Sequence, residues 1–184
     1  MTGTEDQTRT CPVPVPASPP AGRTGAPRPS GPTHSPRAAT WPHVTTASFS
    51  PADLALVALI AEGHGNRAIA AQLDLPLGTL KRRIEQLTRR HHTCSRTGLV
   101  AVACRAGQLG PAAEEPAVLP YRLREILPGM AAGWSGPRIG RGLHLSAGAV
   151  KTREGQLFVL LGASGRANAV WLAWQAGLLP EATR

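Results

Sequence analysis

With 184 residues, a net charge of +9 and 4% aromatic residues, the chain is a small basic protein with room for one ordinary domain or two small ones. No apolar run approaches the roughly 20 residues needed to cross a bilayer, and the opening MTGTEDQTRT lacks the basic and apolar regions of a secretory leader. A cytoplasmic protein without membrane contact is therefore expected. Cys11, Cys94 and Cys104, odd in number and unevenly spaced, argue against a disulfide framework and fit reduced thiols. His91, His92 and Cys94 are ligand types close in sequence, but no second Cys/His cluster completes four ligands, so neither metal nor another cofactor is expected.

Residues 1–48 hold ten of the 18 prolines, interspersed with Ser, Thr, Gly and Ala and almost no aliphatic run. Such a segment cannot bury enough apolar surface to offset its ordering entropy, so it reads as a disordered Pro-rich arm. Both halves of the remaining chain are basic: residues 49–110 carry eight Lys/Arg against four Asp/Glu, and residues 121–184 carry eight against three. A polyanionic partner such as nucleic acid is the natural inference.

Past the arm, short helices follow one another. Ser50-Pro51-Ala52-Asp53 is a helix start with an N-cap, a proline in the first turn and an acid able to reach back. Leu56, Val57, Ile60 and Ala61 would face inward until Gly63-His64-Gly65 stops the helix. Asn66 can cap a second helix, NRAIAAQL, ended by DLPLG. A third begins near Gly78 or Thr79: Leu77, Leu80, Ile84 and Leu87 form one stripe, with Arg82, Glu85, Gln86 and Arg89 opposite and Lys81 at the edge. SRTGLVAVACRAGQL makes a fourth. Two short helices, a tight turn and a basic outer face on the second are what a helix-turn-helix needs to lay one helix in the major groove of double-stranded DNA.

The pattern is written twice. Shifting the chain by 70 residues superposes about sixteen identities without a gap, among them Gly63 on Gly133, Lys81 on Lys151, Arg83 on Arg153, Gln86-Leu87 on Gln156-Leu157, Arg96 on Arg166 and Ala106-Gly107 on Ala176-Gly177. The expected fold is all-α: two tandem four-helix helix-turn-helix units, residues 49–110 and 119–180, joined by a linker at 111–118 and preceded by the arm.

Residues 49–109 resemble the LuxR-type helix-turn-helix of bacterial transcriptional regulators. The resemblance rests on Glu62-Gly63, Asn66, Ile69-Ala70 and Leu73, then Thr79, Leu80 and Lys81, then Arg96, Val100, Ala103 and Gly107. A weaker match covers residues 119–179. The resemblance implies a third helix that reads the major groove and a fourth that often pairs subunits. Carried over, it assigns Lys81, Arg82 and Glu85 to the groove, Arg83, Arg89 and Arg90 to phosphates, and Asn66 and Thr79 to helix ends at the DNA, with Lys151, Thr152 and Arg153 as second-copy counterparts. The sequence departs from the family pattern at Ala52, Pro76, His91 and Thr93, where an Arg, a capping Ser and two core residues are usual. A looser first-copy core is expected.

In the second copy Gly140 and Gly142 lie inside the second helix, each costing roughly 1 kcal/mol against Ala, and Gly155 interrupts the third. Val159 and Leu160 replace Arg89 and Arg90, so this copy reads as auxiliary or dimerising. Trp171 and Trp174, three apart on its fourth helix, are candidates for an interface, either in a homodimer or between the copies as an intramolecular pseudo-dimer. The leading expectation is a DNA-binding transcription regulator. The alternative is a protein-interaction adaptor binding another regulator or RNA polymerase. No catalytic residue is expected, because no nucleophile elbow, phosphate loop or convincing acid/base pair is present.

Overall fold

Ser50 begins the ordered helices as the sequence leads one to expect. In the computed structural model, which describes residues 48–110 and 118–179, its hydroxyl accepts from the Asp53 amide at 3.2 Å and donates to the Asp53 carboxylate at 2.6 Å. Helix α1 (Pro51–Ala61) follows, then α2 (Asn66–Gln72), α3 (Leu77–Arg90) and α4 (Arg96–Arg105). The second copy contributes α5 (Tyr121–Arg124), α6 (Leu127–Ala131), α7 (Gly136–Leu143), α8 (Ala147–Leu161) and α9 (Arg166–Gln175). Among the described residues the structure is all-helical, with no strand. The Pro-rich arm and most of the linker lie outside the described residues.

The duplication is visible in the backbone. Helices α2 and α7, α3 and α8, and α4 and α9 each begin 70 residues apart. Left-handed positions pair at the same interval: Gly63 with Gly133, Asp74 with His144, His92 with Gly162, and Gly107 with Gly177. The chain thus turns in the same manner at matching points, whether or not a glycine is there to ease it.

The copies differ in their first helix. The counterpart of α1 is split into α5 and α6, so the second copy has five helical segments rather than the expected four. Pro128 lies at the start of α6 and cannot donate to the carbonyl four residues back, which removes the bond that would join the two pieces. Gly140 has a structural reason: a Cβ there would stand 2.6 Å from the Leu145 carbonyl oxygen.

Gly155, by contrast, does not interrupt α8, which runs unbroken to Leu161. A Cβ at Gly155 would meet nothing within 4 Å. Replacing Gly155 with Ala is therefore expected to stabilise the protein by about 0.5–1 kcal/mol, since only backbone entropy changes, and a rise in urea midpoint at constant slope would register it.

The first-copy core is closed where looser packing was expected. The Phe49 and His91 rings stack with centroids 4.0 Å apart, and Phe49 is buried. Burial, reinforced by the Arg90 charge, pushes the His91 imidazole below its ordinary value of 6.5. The folded chain then binds this proton more weakly than the unfolded chain, so stability is retained above 6.5 and lost as pH falls below it. His91→Phe is expected to flatten the decline in urea midpoint between about pH 7.5 and 5.5. An unchanged decline would assign it to other groups.

All described residues fall within one compact unit. Its most extensive helix pairing joins α4 of the first copy to α9 of the second. Every residue of α4 from Thr97 to Cys104 is buried, because the first-copy core covers one side and α9 the other. Cys104 is a buried free thiol pushed up to about 12, chiefly by burial. No single helix among the described residues is long and apolar enough to cross a membrane.

Candidate nucleic-acid interface

The orientation of α3 is fixed by its apolar stripe. Leu80 and Leu87 are buried and Leu77 and Ile84 half-buried, which turns Lys81, Arg82, Gln86, Arg89 and Arg90 outward. The helix begins at Leu77, slightly before the expected start, with Pro76 in the N-cap place and no side-chain cap. Its first-turn amides and the exposed Thr79 are consequently open, a partial positive charge added to the basic strip.

The cations on this helix are not equivalent. Lys81 and Arg82 are exposed and form no hydrogen bond or ion pair with any described residue. Arg89 donates to Glu85 at 2.9 Å, one turn away, and both side chains are well exposed. Such a pair is worth only about 0.3–0.5 kcal/mol, so an approaching phosphate can displace the carboxylate. Arg90 is exposed and stands 3.9 Å from Asp53.

Arg83 differs. Its Nε donates to Asp53 at 2.8 Å, and the Asp53 side chain is only 11% exposed. Burial works to raise the Asp53 carboxyl, but hydrogen bonds from Ser50 and Arg83 outweigh it and hold the group below its ordinary value. Arg83 thus ties α3 to the start of α1 through its Nε. The sequence reading found Asp53 only as a helix cap and missed this second partner, thirty residues away.

Asn66 and Arg153 also carry internal contacts, and Asn66 departs from the expected capping position. Asn66 is the first residue of α2 rather than its cap, and its Oδ1 accepts from Arg96 at 2.8 Å. Arg96 also donates to the His64 carbonyl at 2.8 Å, so Asn66 belongs to an internal brace. Arg166, the counterpart of Arg96, donates likewise to the carbonyl of Trp134, the counterpart of His64. In α8, Arg153 is bound to the Glu125 carboxylate. Lys151 and Thr152 remain exposed, with the Thr152 hydroxyl donating to the Gly148 carbonyl at 3.1 Å.

The outward faces of α3 and α8 therefore diverge. Lys81, Arg82, Glu85, Gln86, Arg89 and Arg90 correspond to Lys151, Thr152, Gly155, Gln156, Val159 and Leu160. Val159 and Leu160 are 82% and 59% exposed.

Trp171 and Trp174 lie on the seam between the copies: their indole N–H groups face the carbonyls of Leu109 and Gly110, each at 3.4 Å. Trp174 is buried and Trp171 half-buried. Asn168 completes the seam. It is buried, donates to the Ala61 carbonyl at 2.8 Å and accepts from the Ser164 amide at 3.0 Å. The sequence reading missed Asn168, although one polar amide inside the apolar run ANAVWLAW is a recognisable signal.

Close approach across the seam is reciprocal. A Cβ on Gly63 would collide with Ser164 and press on Asn168, and one on Gly133 would collide with Ser95 and press on Gly98. Helix α1 packs on α9, and α6 packs on α4. This is the exchange of equivalent contacts that defines an isologous interface, here contained in one chain.

No group of three or more His, Cys, Asp and Glu side chains placed to hold a metal ion occurs among the described residues. No family model, curated protein or solved structure matches the chain.

Proposed function

We propose that the chain is a cytoplasmic bacterial transcription regulator of the LuxR helix-turn-helix type, and that α3 enters the major groove of double-stranded DNA. The observation that carries this reading is the pair of exposed cations, Lys81 and Arg82, without a partner among the described residues, on a helix whose opposite side is anchored by Leu80 and Leu87. In this reading Lys81 and Arg82 donate to guanine edges or phosphates, and Thr79 with the open first-turn amides receives a phosphate at the helix end. Arg89 and Arg90 exchange carboxylates for phosphates. Supporting it, the residues that carry the resemblance lie on consecutive helices, and helices α2, α3 and α4 recur 70 residues later as α7, α8 and α9.

Duplex affinity measured by fluorescence anisotropy at increasing salt tests this reading. Four outward cations on α3 give an expected slope of log affinity against log salt of about −2 to −4. A flat dependence would remove the phosphate contacts and the reading with them.

A second reading is favoured by exposed Val159 and Leu160 on α8, which offer apolar surface where α3 offers charge. Here the chain is an adaptor that binds RNA polymerase or another regulator. An adaptor of this kind keeps its partner when Lys81 and Arg82 are both replaced by Ala.

A further inference from the structure

Resting on the proposed role of α3 in DNA contact, we infer that the chain binds duplex DNA as a monomer, at a site without dyad symmetry. Two independent observations lead there.

The first is the state of α4. A module with one copy has an apolar fourth helix that needs a cover, and a second chain is one way to provide it. In this chain α9 is the cover: Leu99, Val100 and Ala103 of α4 and Ala169, Val170 and Ala173 of α9 are fully buried. The reciprocal contacts of Gly63 and Gly133 show that the interface is complete on both sides. The apolar area that would drive pairing between chains through this helix has already been removed from water. Association of two chains by the same contacts would require the copies to separate.

The second is the inequality of the two outward faces. A symmetric dimer presents the same residues to both halves of its site, so the halves must match. Here one third helix presents four cations and a carboxylate, whereas the other presents Lys151 with Thr152, Gly155, Gln156, Val159 and Leu160. Base pairs are read by charged, amide or hydroxyl side chains at base edges and by apolar contact with the thymine methyl, so two helices with different outward side chains read different base pairs. On α8 Val159 and Leu160 cannot take the phosphate contacts of Arg89 and Arg90, and Arg153 is bound to the Glu125 carboxylate. The half of the site under α3 is thereby the more strongly held and the more strongly selected, and the half under α8 is read by different side chains. Such a site has one dominant block and no inverted repeat.

Selection of duplexes from a randomised library by the full-length chain, followed by mass photometry of the selected complex, tests the inference. The expected result is one chain per duplex and a consensus with a single dominant block. Arg82→Ala should degrade that block, whereas Lys151→Ala should leave it legible. An inverted-repeat consensus occupied by two chains would overturn the inference and leave DNA binding standing. Failure to enrich or retain any duplex would overturn the DNA reading itself and the inference with it. Circular dichroism of the two variants guards against misfolding, and both positions are exposed.

Discussion

Replacing Lys81 and Arg82 together with alanine is expected to weaken duplex binding by about thirtyfold or more, while leaving the melting temperature within a few degrees. Each well-placed contact to a base edge is worth about 1–3 kcal/mol, and 1.4 kcal/mol is a factor of ten, so losing two removes at least about thirtyfold. Both side chains are exposed and have no partner among the described residues, so little internal stability is lost. The same double replacement in α8, Lys151→Ala with Thr152→Ala, is expected to cost far less, because that face has no second free cation beside it. Anisotropy titration at a single salt concentration measures both. Equal losses for the two pairs would deny α3 its special role.

The second large effect is on stability. Trp174→Ala is expected to destabilise the protein by about 3–5 kcal/mol, the range for removing a large buried aromatic. That is a substantial fraction of the 5–15 kcal/mol typical of a domain. Trp174 is buried where α9 meets the end of the first copy, so the loss falls on the seam shared by both. Urea denaturation should therefore show both copies failing in one transition at a lower midpoint. Trp171→Ala, at a half-buried position, should cost less. A change below about 1 kcal/mol at Trp174 would mean that the seam is not a stability element.

Much of this molecule is legible in its sequence, for reasons that differ by level. Helix positions follow from local chemistry: the Ser50 cap, the Leu80 and Leu87 stripe and the stop at Gly63 act within a few residues of themselves. The duplication is legible because both copies obey the same turn geometry, down to the left-handed backbone at Asp74 and His144. The break between α5 and α6 has a local signal too: Pro128 stands where the first copy has Ala58, inside α1.

Long-range pairing is what stayed hidden. Arg83 looks like a purely outward cation on its own helix, and only Asp53, thirty residues earlier, shows that its Nε is engaged within the fold. Asn66 looks like a cap until Arg96 claims it. Arg153 is claimed by Glu125 in the same manner. Each is a cation or amide whose role depends on one distant partner, and no periodicity carries that information. The sequence leaves a homodimer and an intramolecular pairing equally open for the fourth helices, and the apolar burial along α4 and α9 selects the intramolecular one.

Backbone amide NMR shifts of the full-length chain, recorded during titration with short duplex DNA, test the central claim most directly. The expected perturbations cluster on residues 77–90, strongest near Thr79, Lys81 and Arg82, with the amides of α4 and the buried face of α9 unmoved. Perturbation centred on Val159 and Leu160 with residues 77–90 unmoved, or no perturbation at low salt, would contradict it.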